Sequence, residues 1–430
     1  MKRVLIITWY WPPSGGAGVQ RWLKFSKYLP SYGWEPVILT VDPAYASYPQ
    51  TDDRLIDEIS PSMEVFRTKA PTGVFSAYKK ITGSSEIPYG GFVNESNPGL
   101  LRKLLRFIRG NFFLPDSRRG WNRYAYKAAL NIIKEKQIDA VITTSPPHST
   151  QLTGLKLSKK LKIKWIADLR DPWTEIYYSD ELYQTPPARW INSSLEASVL
   201  NRAGRVITTC QATADLFRKK IRPSTDSDKV MVITNGYDET DFEGEKGKPD
   251  RFAITYLGTL AASYDLSLLT SALRSYSTLL SEEILLRFIG KADAKVIRSL
   301  EKVQGVRIEL FPYVPHTEAI SWLARSAALL LVIPAGEKST EMIPGKLFEY
   351  LASRRPVIAI GRKGSDVDNI LRETSGGRLF GPEESGELAA YISDLMSDFS
   401  GGRYETNPAG IGKYSRQALT ATIAGILDSL

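Results

Sequence analysis

The sequence predicts an α/β protein built from two parallel sheets, and three observations predict it. Short, nearly all-apolar runs rich in β-branched residues recur along the chain. Amphipathic helical stretches alternate with them, such as the one carrying Val19, Leu23, Ser26 and Leu29. One charged stretch without periodicity, GYDETDFEGEKGKPDR at 236–251, divides the series in two and reads as a linker. Strands that are apolar on both faces belong to sheets covered by helices on both sides, which is the parallel arrangement. A chain of 430 residues has room for two such cores.

In order, the first half offers strands at RVLIIT (3–8), PVILTV (36–41), IDAVITTS (138–145), IKWIADL (163–169), RVITTC (205–210) and KVMVIT (229–234). The second offers FAITYLGT (252–259), ILLRFIG (284–290), VRIELF (306–311), ALLLVIP (328–334) and PVIAIG (356–361). These are two Rossmann-like domains, expected at 1–240 and 250–411, with a cleft between them. The last stretch, SRQALTATIAGILDSL, is a helix with Leu419, Ile423, Ile426 and Leu427 on one face. Residues 412–430 are expected to pack back on the first domain.

Residues 70–125 break the alternation and form a basic insertion. In LLRKLLRFIR (100–109), Leu100, Leu101, Leu104, Leu105 and Ile108 share a helical face. Arg102, Lys103, Arg106 and Arg109 lie mostly opposite. Such a helix either lies on an anionic membrane or buries its leucines in the core as an ordinary surface helix.

Composition narrows the classes. The formal charge of +9 suits an anionic partner, whether nucleotide, nucleic acid or membrane, and equally suits simple solubility. A single cysteine, Cys210, excludes an internal disulfide framework, and two histidines, His148 and His316, leave no multi-histidine metal centre. No metal is expected. No apolar run reaches the ~18 residues of a membrane span. The start imitates a signal peptide, but Pro12 and Pro13 interrupt its apolar run and no small-residue cleavage site follows. A cytoplasmic protein is expected, with peripheral contact at the inner face of the membrane left open.

The opening stretch RVLIITWYWPPSGGAGVQRW (3–22) carries Gly15, Gly16 and Gly18 at the end of the first strand, where open α/β sheets bind ligands. The spacing is not the dinucleotide fingerprint, although Asp42 follows the second strand. Adjacent glycines let backbone amides approach a phosphate or sugar; a mere tight turn is the plain alternative.

The most informative stretch is EMIPGKLFEYLASRRPVIAIG (341–361). Pro344 suits the first turn of a helix, and Ile343, Leu347 and Leu351 would form its buried stripe. Glu341 precedes the helix and Glu349 lies on it, with seven residues between. Each carboxylate can accept two hydrogen bonds from a vicinal diol, as ribose and hexose rings present. Lys346 and the positive helix terminus suit phosphate.

This segment resembles the acidic signature of GT-B fold glycosyltransferases, particularly the retaining enzymes of family 4 (group 1). VITNGYDETDF (232–242) resembles the close of their first domain, YLGT (256–259) the opening of their second, and YVPHTEAISWLARSAALLL (313–331) their usual pattern. LPDSRRGW (114–121) and ADLRDPW (167–173) resemble a subset of bacterial surface-polysaccharide synthesis. The resemblance implies a GT-B fold, a nucleotide-sugar donor (UDP- or GDP-sugar) and transfer to a glycan or lipid-linked acceptor with retention. Carried over, Glu341 holds sugar hydroxyls and acts in catalysis, and Ile343, Pro344 and Gly345 lie near donor sugar or phosphate. Glu349 holds the ribose, Gly258 and Thr259 form the turn that opens the donor domain, and Gly15 and Gly16 line the cleft.

Two departures stand out. Relatives grip the diphosphate with an Arg and a Lys soon after the YLGT-type turn, whereas TLAASYDLSLL (259–269) has neither. Lys346, Arg170 and Lys291 are the candidate replacements. Relatives also place a His near the reacting carbon, where this chain has ADLRDPW. Asp168 or Asp171 could polarise an acceptor hydroxyl there, although Asp171 equally suits pairing with Arg170 or capping a turn; His148, in TTSPPHST, is a rival for acceptor contact or a plain turn histidine. His316 opens a helix and Cys210 suits packing. The rival readings are a GT-B type nucleotide-sugar epimerase, needing no acceptor, and a non-catalytic basic protein binding membrane or nucleic acid. No nucleic-acid motif supports the last.

Overall fold

The computed structural model describes residues 1–48, 51–71, 99–223, 226–244, 247–261, 264–277, 283–334 and 342–430. Two compact units result. The described residues up to Thr234, with Arg416–Leu430, form the first, and Asn235–Ser415 form the second.

The first unit is built on strands β1 (Lys2–Ile7), β2 (Trp34–Val41), β3 (Glu64–Thr68), β4 (Ala140–Ser145), β5 (Lys164–Leu169), β6 (Arg205–Thr208) and β7 (Val230–Val232). They form one sheet in the order β3-β2-β1-β4-β5-β6-β7. The second unit contains β8 (Ala253–Leu257), β9 (Ile284–Ile289), β10 (Val306–Phe311), β11 (Ala328–Val332), β12 (Val357–Ile360) and β13 (Gly377–Phe380), in the order β10-β9-β8-β11-β12-β13. Neighbouring strands run parallel throughout both sheets. These are the two Rossmann-like layers expected of the GT-B class. In each, strand order reverses beside the first strand, between β1 and β4 and between β8 and β11. Ligands of open α/β sheets bind outside the carboxyl ends at such a point.

The apolar strand runs become fully buried sheet centres: Val4, Leu5, Ile6 and Ile7 of β1 are wholly inaccessible, as are Leu329 and Leu331 of β11. The first helix, Ala17–Tyr28, lays Val19, Trp22, Leu23, Phe25 and Ser26 into the core. The terminal helix, Arg416–Asp428, buries the predicted Leu419, Ile423, Ile426 and Leu427 within the first unit. Its end is fastened by Asp428, which accepts from Lys2 Nζ at 2.8 Å and Trp34 Nε1 at 3.2 Å. Cys210 is buried, with its sulfur beside Thr213 Oγ1 at 3.1 Å, a packing position. Among the described residues no helix is long and apolar enough to cross a membrane.

Candidate functional site

At the carboxyl edge of the first sheet, the opening loop turns at Gly16, whose φ of 86° belongs to the left-handed region. A Cβ there would meet nothing within 4 Å, so backbone conformation and not space requires the glycine. Gly15 is buried in the same loop. Asp42 caps the turn after β2, accepting from Ala44 N at 2.9 Å.

The two aspartates of ADLRDPW separate cleanly. Asp168 is wholly buried and accepts from Trp22 Nε1 at 2.6 Å, Thr144 Oγ1 at 2.7 Å and Arg21 Nη2 at 3.2 Å. Arg21 is equally buried and also donates to the Thr234 carbonyl at 2.8 Å. Breaking such a pair leaves an uncompensated buried charge, a loss of about 3–5 kcal/mol. Asp168 is therefore a structural tie. Asp171, at the loop beyond β5, is half-buried. Burial raises its carboxyl above the usual range, opposed by the Arg170 charge and reinforced by Asp168. A carboxylate with raised proton affinity is better suited to take a hydroxyl proton.

Arg170, expected as a phosphate grip, gives two of its three guanidinium nitrogens to the scaffold. Its Nε donates to the Ser145 carbonyl at 2.8 Å and its Nη1 to the Gly18 carbonyl at 2.7 Å. It ties the glycine loop to the end of β4 and is buried. His148, on the turn after β4, is also buried and stacks on Trp173, ring centroids 5.2 Å apart and 11° from parallel. Burial pushes its imidazole down to about 4; Asp116 opposes this and Arg170 adds to it. It is a neutral ring at physiological pH.

At the corresponding edge of the second sheet, Gly258 turns with φ 114° and is exposed, as is Thr259. Gly290, φ 122°, lies so close beneath that a Cβ would sit 2.4 Å from the Gly258 carbonyl oxygen. Lys291 follows and is exposed on the surface. The signature helix runs Lys346–Ala352. Ile343, Leu347 and Leu351 are buried, while Pro344 and Gly345 are half-buried at its entry, with Asn235 about 3.8 Å from where a Gly345 Cβ would stand. Lys346 reaches back under the Gly258 turn. Its ammonium donates to the Leu257 carbonyl at 3.0 Å and lies 3.8 Å from the centre of the Tyr256 ring. Desolvation lowers it to about 7, against the pull of Glu349. Glu349 is half-buried on the first turn. Glu341 lies outside the described residues. His316 opens its helix as expected and meets Asp241 at 3.1 Å.

A cavity of about 550 Å³ in the second unit, lined by Tyr237, Ala324, Leu351, Arg354 and Arg355 among others, lies at the amino edge of β11 and β12, away from this chemistry. No cluster of His, Cys, Asp or Glu among the described residues could hold a metal ion.

The basic helix runs Leu100–Phe112, and it is inverted relative to an ordinary surface helix. Its leucines face outward: Leu100 is 86% exposed, and Leu101, Leu104, Phe107, Ile108 and Phe112 are exposed too. The inward face is polar. Arg106 is buried and pairs with Glu181 at 3.0 Å. Gly110 abuts Leu182, and Asn111 Oδ1 accepts from Thr185 N at 2.8 Å and Thr185 Oγ1 at 2.7 Å. Arg106 is thus removed from the residues available to an anionic surface. Arg102 and Lys103 remain exposed and Arg109 half-exposed.

Family models match both halves. Residues 91–241 match Glycosyltransferase Family 4, and residues 251–398 match Glycosyl transferases group 1. The chain is a glycosyltransferase of the GT-B type. No curated protein matches it. Among solved structures, the glycosyltransferase resembles HepE of Anabaena, solved in complex with UDP and glucose, at 16% identity and a TM-score of 0.57, each chain covered in full. It resembles the lipopolysaccharide outer core galactosyltransferase WaaB at 13% and 0.59, again over both whole chains. It also resembles a provisionally assigned UDP-N-acetylglucosamine 2-epimerase from Listeria monocytogenes at 11% and 0.55, covering 100% of this chain and 96% of that one. At such identities the likeness is one of fold alone.

Sequence reasoning missed several residues of the glycosyltransferase's first edge. Trp173 and Asp116 were in hand as letters of ADLRDPW and LPDSRRGW, but nothing in either motif says that they meet at His148. Asp116 Oδ2 accepts from Ser149 N at 2.7 Å and Oδ1 from Ser149 Oγ at 2.8 Å, fixing the turn that carries the histidine.

Proposed function

We propose that this glycosyltransferase takes a hexose from a UDP- or GDP-sugar held by the second unit and passes it, with retention of configuration, to a hydroxyl of a lipid-linked or free glycan held by the first. The observation that carries the reading is the second edge. An exposed glycine turn with a left-handed backbone lies over one enclosed lysine ammonium, beside a helix that bears Glu349. A backbone without side chains admits a diphosphate closely, and Lys346 supplies the charge that the missing Arg and Lys supply in relatives. Glu349 takes the ribose diol, Glu341 the sugar hydroxyls, and Ile343, Pro344, Gly345, Gly258 and Thr259 the remaining donor contacts; Lys291 stands at the rim. On the first unit Asp171 takes the acceptor proton, His148 contacts the acceptor, and Gly15 and Gly16 let the loop approach it. The enzyme's work is alignment and stabilisation of the leaving diphosphate. UDP and glucose in the Anabaena structure support a donor of this class. Retention rests on the family resemblance.

The helix Leu100–Phe112 supports a membrane-borne acceptor. Six large apolar side chains exposed on one element, flanked by Arg102, Lys103 and Arg109, match an anionic bilayer in both polarity and charge. The enzyme would then work peripherally at a membrane surface.

Calorimetry with nucleoside diphosphates and intact nucleotide-sugars tests the donor site. Glu349→Ala should weaken the nucleoside diphosphate itself about 10- to 100-fold, the loss typical of a charged acceptor. Glu341→Ala should leave diphosphate binding intact and remove the affinity added by the sugar. Unchanged donor binding in both variants would reduce the segment to a structural helix. Conversion of the donor without any acceptor would replace the transferase by an epimerase.

A further inference from the structure

The loop after β5 carries both Asp171 and the Trp173 ring on which His148 stacks, and it is fastened on either side of them. Ahead of them stands Arg170. Its side chain reaches the Ser145 and Gly18 carbonyls, and its own carbonyl accepts from Thr209 Oγ1 at 2.7 Å. Behind them, Thr174 and Glu175 run into a partly buried ionic cluster. The Lys220 ammonium, at the end of the helix Gln211–Lys220, donates to Thr174 Oγ1 at 2.9 Å, to Glu196 Oε2 at 2.8 Å and to Glu175 Oε2. Three donors are all that an ammonium has. Asp171, Pro172 and Trp173 thus span the gap between two anchors.

This cluster is a poor source of stability. Glu196, on the helix Pro186–Arg202, is 1% exposed, and its Oε1 has no hydrogen-bond partner among the described residues. One ammonium answers two carboxylates. Thr174 Oγ1 lies 2.6 Å from Glu196 Oε2 and 2.8 Å from Glu175 Oε2, and its single proton serves one of them at a time. Burial raises the Glu196 carboxyl above its usual range, with the Lys220 charge and hydrogen bond opposing. Apolar side chains of similar volume often stabilise such a site as well or better. They would not supply direction. Bonds from one ammonium and one hydroxyl fix where Thr174 and Glu175 stand, and the peptide chain passes that constraint to the adjacent Trp173.

We propose that Lys220 and Glu196 are positioning residues: they hold the far end of the loop through Thr174 and Glu175, and so keep Trp173 on His148 and Asp171 in a fixed place. That this serves sugar transfer rests on the first unit being the acceptor side. Both residues act through the loop and neither meets the acceptor.

The His148 ring reports the loop's position without any substrate. Burial keeps it neutral; Asp116 and the Pro172 carbonyl favour its proton, and Arg170 disfavours it. Losing the Trp173 cover admits water and should lift the ring toward the ordinary value of about 6.5. The chain has two histidines, so labelling histidine with ¹³C at Cε1 gives two NMR signals, and His316→Gln identifies which is His148. Between pH 7 and 5 the wild-type His148 signal should stay near its neutral position. Thr174→Val with Glu175→Ala cuts the loop from the cluster and leaves the Lys220–Glu196 pair intact. Its melting should stay cooperative and its His148 should titrate in that range. Lys220→Met with Glu196→Leu removes both charges of the pair together and should do the same. Thr174→Ser keeps the hydroxyl, and Lys219→Gln removes an exposed charge from the same helix; both should match wild type. A His148 that stays neutral in either double variant overturns the proposal, as does its titration in Thr174→Ser. Loss of cooperative melting in both double variants makes the cluster a structural tie and overturns it too. Failure of the acceptor reading shows separately, as wild-type turnover by Asp171→Asn; a titrating His148 in the double variants would still establish the clamp.

Discussion

The carboxyl edges of the two sheets are built from different materials. The second offers mostly backbone: a glycine turn, a second glycine packed beneath it, and one lysine enclosed by a carbonyl and a tyrosine ring. The first offers side chains: a histidine stacked on a tryptophan, an aspartate of raised proton affinity, and arginines tied to carbonyls or laid over rings. Backbone recognition suits a ligand part common to many substrates, such as a diphosphate. Side-chain recognition suits a part that differs from enzyme to enzyme. On the proposed reading, the chemistry that makes this chain particular is concentrated in the first unit.

If this division holds, damage to the first edge should stop turnover while donor binding survives. Asp171→Asn is the largest expected effect: removing the proton acceptor should lower kcat about 10²- to 10⁴-fold, with nucleoside diphosphate affinity unchanged by calorimetry. In the wild type the acid limb of the rate should lie above that of an ordinary aspartate, because the carboxylate is lost as pH falls through a raised value. Gly16→Val forces a side chain into a left-handed conformation, which costs about 1–3 kcal/mol. It should slow turnover roughly 10- to 100-fold through the loop, again sparing the donor.

Smaller effects sharpen the contrast from the other side. Lys346 is lowered to about 7 by burial, so near neutral pH it is partly uncharged. An anionic diphosphate favours the ammonium, and binding should draw in a proton. Nucleoside diphosphate affinity should therefore tighten as pH falls from 8 to 6, by up to about tenfold. Lys346→Met should flatten that dependence; an identical slope in the variant would place the titration elsewhere. The smallest effect belongs to the membrane. Arg102→Gln with Lys103→Gln removes about 1 kcal/mol per charge and should weaken sedimentation with anionic vesicles while sparing neutral ones. Equal sedimentation of variant and wild type would leave the exposed leucines without an electrostatic partner.

The fold was readable because its central strands are apolar on both faces, and each of those runs became a strand. The strands that escaped notice, β3 (EVFRT) and β13 (GRLF), are short sheet edges of mixed polarity, where burial imposes no clear pattern. The signature helix was readable because its residues are contiguous. The first edge was not, because it assembles from β1, β4, β5 and the 109–118 segment, which sequence spacing cannot bring together. Arg170 shows the limit sharply: as a letter it is a cation fit for phosphate, and in the fold two of its three nitrogens donate to backbone carbonyls. The basic helix shows another. Periodicity reveals that a helix has two faces, but the core here takes the polar one, through Arg106 and Asn111.

The burial of Cys210 has a practical consequence for measuring all this. It is the chain's sole cysteine, so thiol reagents meet no accessible sulfur in the native protein. A cysteine introduced at an outward position of the basic helix, Leu101→Cys for example, becomes the one reactive handle. A spin label or environment-sensitive dye attached there would report immersion depth directly, without first stripping the protein of native thiols. The same empty background permits paired labels, one on each unit, for distance measurements in the presence and absence of a nucleotide-sugar.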